Sequence, residues 1–392
     1  MGSNNINLLQ PNGTFGSRLQ GGKDAASARY IYTCLHPLTS LLFKKEDSAI
    51  LKYLDDDGML IEPEFYVPII PTVLVNGAKG IGTGYSTTIP MYNPSDILHN
   101  IKSRIQNKEM REMKPWFRGF TGKVEKLEDG NYLTKGTYQM INANTIRITE
   151  LPIGTWTEKY KEYLESIIVD PKANKKKKKI LKSYVDHSTD TKVHLVLKFD
   201  YKDVLALRKE GVINGLDGVE KALRLGSKKC TNMKNIHLYN SSGTIQKYTS
   251  PFEIINEFYT YRLEMYSKRR LYQLNELEKE MQLISERMRF ILELIENTID
   301  LRNKKTSLIE SILNEKNYCK LGTLKNYDYL IKMPLQNLTE EKINELRSAC
   351  EAKRLQVEIL QKTTAENMWL HDLNEFTTMY KKCVRKENKQ RK

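Results

Sequence analysis

The chain has 392 residues, 40% hydrophobic and 28% charged, which is enough apolar material for two or three folded domains. Its 63 Lys and Arg outnumber 48 Asp and Glu by +15, a surplus that suits a polyanionic partner, with nucleic acid ahead of an acidic membrane. Five cysteines without a CxxC pair, six scattered histidines without an HExxH, and no apolar run near ~20 residues argue against a disulfide framework, a zinc site and a membrane span.

In chain order, residues 1 to about 75 mix glycine-rich loops with helical patches, and Ala25 to Phe43 has helical composition interrupted by Pro37. The start, Met1-Gly2-Ser3-Asn4-Asn5, carries no apolar signal region and lies close to the first motif, so the chain reads as part of a longer protein. A β-branched run from Tyr66 to Val75 feeds directly into Asn76-Gly77-Ala78-Lys79-Gly80-Ile81-Gly82-Thr83-Gly84. Residues from about 76 to 250 have mixed α/β patterning. Thr145 to Thr149 and Lys192 to Leu197 alternate as strands, and Ile236-Tyr239 and Ile245-Tyr248 flank Asn240-Ser241-Ser242-Gly243 as a hairpin. Lys175 to Lys179 form an uninterrupted lysine run, readable as a solvated loop tip, a DNA contact or a nuclear address.

Beyond about 252 the pattern changes to long helices. Leu274, Leu277, Met281, Ile284, Met288, Ile291 and Ile295 recur at 3-4 spacing. A second helix is expected after Thr339, a suitable N-cap, with Ile343, Leu346, Cys350, Val357 and Leu360 on one face and Lys353 interrupting it. The pair predicts an antiparallel coiled coil with a helical head, serving either as a dimerising arm or as a hairpin packed on itself. Lys381 to Lys392 carries seven basic residues and one acid and is expected to be disordered.

Two glycine-rich stretches invite phosphate-loop readings, and neither survives inspection. Gly22-Lys23 has Ser17 where a Walker A loop needs glycine and Asp24 where it needs Ser or Thr. Gly80-Ile81-Gly82-Thr83-Gly84 is GxGxG rather than GxGxxG. Glycines here instead let backbone approach a surface closely. Ile81 among them is a candidate DNA wedge, although spacing alone favours a core position for it.

Gly21 to Tyr30 ends in Arg29-Tyr30. A tyrosine hydroxyl is a poor nucleophile, with an ordinary pKa of about 10. A guanidinium beside it could lower that pKa and hold a phosphate. An arbitrary Arg-Tyr pair reads more simply as packing, so the flanking residues must decide.

Those flanks, Ser3 to Leu9, Pro11-Asn12-Gly13, Phe15 to Arg18 and Gly21 to Ala26, resemble the breakage-reunion region of eukaryotic type IIA DNA topoisomerases. Ile70-Pro71, Leu74 to Gly77, Gly80 to Gly84, Trp116 to Gly119, Ile148 to Pro152, Tyr327 to Leu330, Trp369 and His371 to Leu373 continue the match in family order. The resemblance implies an α+β multidomain fold. Residues 1–70 would be a partial winged-helix domain with the catalytic tyrosine, 71–250 an α/β tower, 251–380 a long antiparallel coiled coil with the exit-gate head, and 381–392 a basic tail. It implies that Tyr30 becomes linked to a 5′ phosphate and that Arg29 stabilises the scissile phosphate. Ile81 would bend the gate DNA, reversing the reading from spacing, and Arg18, Lys23 and Lys79 would face DNA.

The same resemblance implies an ATP-hydrolysing isomerase that is homodimeric and nuclear, acting on double-stranded DNA. Its Mg2+ and ATP would be bound by upstream domains that the matched strings do not reach. No metal ligands are assigned to this chain, and by itself it is expected to be inactive. Lys79 and Tyr85 stand where the family usually has Glu and Trp. The competing class, a non-catalytic DNA-binding coiled-coil organising protein, accounts for the charge and the long helices but leaves Arg29-Tyr30 and its flanks unexplained. A tyrosine recombinase would want several arginines and a histidine around its tyrosine, which the scattered histidines do not support.

Overall fold

The computed structural model describes residues 4–168, 180–227, 231, 234–302, 304–320, 326–334 and 339–391. The lysine run at 175–179 and Cys230 lie outside the described residues. Contacts divide the chain into two compact units. One comprises Met1–Lys45, Tyr66–Arg262 and Asp372–Lys392, and the other Glu46–Phe65 and Leu263–His371.

The elements run as follows: α1 (Thr39–Leu42), β1 (Tyr53–Asp56), β2 (Met59–Pro63), α2 (Thr72–Asn76), β3 (Ala78–Ile81), β4 (Ser86–Ile89) and α3 (Pro94–Ile105). Next come β5 (Lys123–Lys126), β6 (Tyr132–Lys135), β7 (Thr137–Asn142), β8 (Thr145–Glu150), α4 (Thr157–Ser166), β9 (Leu181–Asp186), β10 (Leu195–Phe199), α5 (Tyr201–Lys209) and α6 (Gly218–Ala222). The last stretch holds β11 (Ile236–Tyr239), β12 (Ile245–Tyr248), α7 (Pro251–Ile295), α8 (Thr306–Glu315), α9 (Asp328–Ile331), α10 (Glu340–Lys362) and α11 (Ala365–Arg391).

The first unit is built on a four-stranded antiparallel sheet in the order β7-β8-β10-β9. Alternation fixes its buried face. Ile146 and Ile148 of β8 pair with Leu197 and Leu195 of β10, and all four are fully buried. Tyr160 and Leu164 of α4, Val204 and Leu207 of α5, and Val219 of α6 cover that face. Burying each such side chain contributes roughly 1.5–3 kcal/mol. The strands expected at 145–149 and 192–197 are present, the second starting at Leu195, and the 236–248 hairpin forms with the expected ends.

A polar node explains why several of the family strings sit where they do. The Asn5 amide donates to the carbonyls of Val75, Tyr92 and Trp116 at 2.9, 3.1 and 3.0 Å. The Asn76 side chain accepts from the N–H groups of Asn5 and Ile6. Arg118 donates its N–H to Asn5 Oδ1 and its guanidinium to Asn5 O. Four segments separated in sequence thus satisfy one another's buried polar groups.

Two expectations are corrected in this unit. The helix expected between Ala25 and Phe43 is mostly extended, with a 3-10 turn at Ala28–Tyr30 and the single turn of α1. Its backbone is taken instead by pairing with the segment around Leu8 to Gln10. The tail expected to be disordered continues α11 to Arg391, and Glu387 pairs with Arg118.

Helix α7 is 45 residues long, and its part from Leu263 to Ile295 belongs to the second unit. Arg270 donates to the carbonyls of Leu360 and Gln361, while Glu280 meets Lys353 at 2.6 Å, so α7 and α10 run antiparallel. Arg270 thereby donates to carbonyls in the last turn of α10, and the Thr339 hydroxyl caps its N-terminus. Leu274, Leu277, Met281, Ile284 and Met288 are half-buried and Ile291 is buried, but Ile295 is exposed at the last position of the helix. Lys353 interrupts the apolar face as an ion-pair partner. Phe290, Ile299, Leu313, Tyr318, Tyr327 and Leu330 form a separate small core. No helix among the described residues is long and apolar enough to cross a membrane.

Candidate functional site

Residues 16 to 24 form a tight loop that owes its shape to glycine. Gly21 has φ +67°, and a Cβ there would lie 2.1 Å from the Trp156 ring. Gly16 has φ +94°, and its Cβ would lie 2.5 Å from the Gly22 backbone. The Ser17 N–H donates to both carboxylate oxygens of Asp24, at 2.9 and 3.0 Å. These bonds with Ser17 hold the Asp24 carboxyl below its ordinary pKa. An internal anion thus takes a backbone donor of this glycine loop.

The loop is docked on the sheet unit. Arg18 and Glu150 form an ion pair in which both side chains are under one-tenth exposed. Glu150 also accepts from the Thr121 N–H and hydroxyl and from the Leu151 N–H. The Glu158 N–H in the first turn of α4 donates to Leu19 O, and the Arg18 N–H donates to Asp190 O. Arg18, expected to face DNA, therefore has its cation committed inside the protein. A carboxylate 132 positions away neutralises it, a pairing that sequence spacing does not reveal.

From this anchor the chain rises through the 3-10 turn that presents Arg29 and Tyr30. Tyr30 N donates to Ser27 O at 2.9 Å, and Tyr30 is 71% exposed. Arg29 and Lys23 are exposed as well. Behind them, Gln10 N donates to Cys34 O and His36 N to Leu8 O. The tyrosine is thus an exposed group on a pinned backbone.

The second candidate group is on β3. Ile81 ends that strand opposite Ser86 and is 91% exposed. The core position suggested by its spacing is overturned. Lys79, two residues earlier on the same face of the strand, is also exposed. Tyr85 is partly exposed, and its hydrogen bond with Tyr239 raises its hydroxyl pKa. Among the described residues no three His, Cys, Asp or Glu side chains converge as a metal site. Trp156 and Glu150, which hold the tyrosine loop, escaped the sequence reading as functional residues. Glu150 lies within one of the matched strings.

Residues 1–374 match the family of DNA gyrase and topoisomerase IV A-type subunits. The chain belongs to that family. It is 38% identical over 404 residues to DNA topoisomerase 2 of Penicillium chrysogenum, covering 96% of this chain and 25% of that protein. It is 37% identical over 405 residues to DNA topoisomerase 2 of Plasmodium falciparum, covering 95% of this chain and 28% of that protein. The solved DNA-binding, cleavage and re-ligation domain of Plasmodium falciparum topoisomerase II superposes with a TM-score of 0.86 at 36% identity, over 100% of this chain and 55% of that one. The chain thus spans about a quarter of the length of these curated topoisomerase relatives. The resemblance to the eukaryotic-type breakage-reunion region holds over nearly the whole sequence.

Proposed function

We propose that this chain is the tyrosine-bearing part of the DNA gate of a type IIA topoisomerase, with Tyr30 as nucleophile. One observation carries the reading: Tyr30 and Ile81 are the reactive and the apolar group expected at a DNA surface, and both are exposed on firmly held backbone. In this reaction the Tyr30 oxygen forms a bond to phosphorus, the bond from phosphorus to the 3′ oxygen breaks, and a proton ends on the released 3′ hydroxyl. One phosphodiester replaces another, so the step is close to thermoneutral and reversible.

The transition state spreads negative charge over phosphoryl oxygens and calls for cations. Arg29 supplies one, and the exposed Lys23 is assigned to the DNA backbone. The described residues bring no three His, Cys, Asp or Glu side chains together, and the Mg2+ and ATP that the family reading implies are assigned to other parts of the enzyme. Ile81 enters a base step of the bound duplex and kinks it, with Lys79 against the adjoining backbone. Cutting both strands requires a second Tyr30, hence a homodimer. The α7–α10 pair and its small core serve as coiled coil and exit gate, and residues 71–250 as the tower. The enzyme acts in the nucleus.

The test supplies the missing upstream half in trans with Mg2+ and supercoiled DNA, followed by rapid denaturation. A 5′ covalent adduct lost in Tyr30→Phe is expected. An adduct that persists in that variant removes Tyr30 as the nucleophile.

A further inference from the structure

The hairpin carrying Ile81 has only two strands, and an isolated two-stranded hairpin is marginal in water. Its support comes from the neighbouring β11–β12 hairpin. Thr88 N donates to Asn235 O at 2.8 Å, and His237 N donates to Thr87 Oγ1 at 3.1 Å. Asn235 Nδ2 donates to Ser86 Oγ at 2.9 Å. His237 Nδ1 lies 3.0 Å from Ser86 O. A carbonyl can only accept, so this nitrogen carries the proton. The His237 ring also packs on Tyr85, with centroids 6.2 Å apart. His237 thus grips β4 at Ser86, the residue paired with Ile81.

The far side of the β11–β12 hairpin is fixed to α7. Glu257, in the second turn of that helix, accepts from Ser241 N at 2.7 Å and from the Tyr248 hydroxyl at 2.5 Å. Ser241 lies in the hairpin turn and Tyr248 ends β12, so one carboxylate holds both ends of the strand. Glu253 adds a bond from Thr249 N at 2.9 Å. A continuous series of hydrogen bonds therefore leads from the residue opposite Ile81 to the first turns of α7.

We propose that the β11–β12 hairpin is a strut that sets the wedge, with His237 and Glu257 as its positioning residues. The proposal rests on the reading of Ile81 as the wedge. Opening a base step costs stacking free energy, and the duplex pushes back on the inserted side chain. A floppy hairpin would fold away and let the step reseal. A hairpin braced on a long helix holds Ile81 in place. Because the strut fails if either end is released, the two residues act as one unit and their effects are not additive.

The experiment measures energy transfer across an end-labelled duplex bound to the chain with its upstream half. His237→Ala and Glu257→Ala are each expected to reduce the bent population by about fivefold or more, the lower range of ordinary coupling between sites. The double variant should be little worse than either single one. His237→Asn, which restores a donor toward Ser86 O, should recover bending. The salt dependence of binding should stay unchanged, because neither residue neutralises a phosphate. Full bending in both alanine variants, with bending abolished by Ile81→Ala, overturns the strut and leaves the wedge. Additive losses, or no recovery with His237→Asn, overturn it as well. An unbent duplex with the unsubstituted chain, or bending that survives Ile81→Ala, removes the wedge reading and the strut together.

Discussion

The guanidinium of Arg18 meets the carboxylate of Glu150 in a buried ion pair that joins the loop leading to Tyr30 to the end of β8. Removing one partner strands the other charge in a poorly solvated site, which typically costs about 3–5 kcal/mol. Arg18→Ala is expected to lower stability by an amount in the lower part of that range, since Glu150 keeps three other donors. Adding Glu150→Gln should restore part of the loss. Denaturant unfolding of the two single variants and the double variant measures this, and additive losses would show that the pair is not coupled.

The two adjacent glycines of the tyrosine loop should respond differently to alanine. Both have positive φ, which costs about 1 kcal/mol for a residue with a Cβ. Gly22→Ala meets nothing within 4 Å, whereas Gly21→Ala drives its methyl into Trp156. Gly21→Ala should lose DNA cleavage in the reconstituted assay while Gly22→Ala stays within about threefold of the unsubstituted chain, a ratio worth under ~1 kcal/mol. Gly21→Ala combined with Trp156→Ala should regain activity if the clash is the cause.

Asn5 is 1% exposed, and its side chain both donates and accepts in the node that gathers residues 75, 92, 116 and 118. Asn5→Ala leaves several buried backbone groups unpaired at about 1–3 kcal/mol each. Thermal unfolding should fall by several degrees or more. Asn5→Asp keeps the acceptor for the Arg118 N–H but loses the amide donors, so it should be destabilised nearly as much.

Tyr138 provides a pH test. Burial first, then the hydrogen bond it donates to Asp217, pushes its hydroxyl up from 10.0 to about 12. The folded state therefore holds this proton more tightly than the unfolded state. The contribution is fully present below pH 10 and is lost as pH rises through about 12. Stability measured between pH 9 and 12 should fall less steeply in Tyr138→Phe than in the unsubstituted chain. Parallel curves would show that Tyr138 does not carry the shift.

Local pattern made a good part of this molecule legible. Strand alternation placed β8 and β10 because a half-buried pleat forces period two, and the Asn240 to Gly243 turn marked β11 and β12. Thr339 marked the start of α10 because the orphan N–H groups of a helix need a side-chain acceptor. The stretch from Ala25 to Phe43 misled because helix-forming composition is a weak preference. Here the backbone found partners in Leu8 and Gln10 instead. The tail misled for a related reason, since its charge predicts solvation but Glu387 has a partner in Arg118.

Sequence alone determined the positive charge surplus, the family and the identity of the nucleophile candidate, because composition and an ordered set of short strings are properties of the chain itself. Tertiary structure decided which groups reach the surface. Arg18 and Lys79 are both cations beside glycines, yet one is buried against Glu150 and the other is exposed. Ile81 lies in an apolar run's wake, yet it is 91% exposed at the end of a braced strand. Burial depends on which distant surfaces meet, and the charge that neutralises Arg18 and the strand that supports Ile81 arrive from far along the chain.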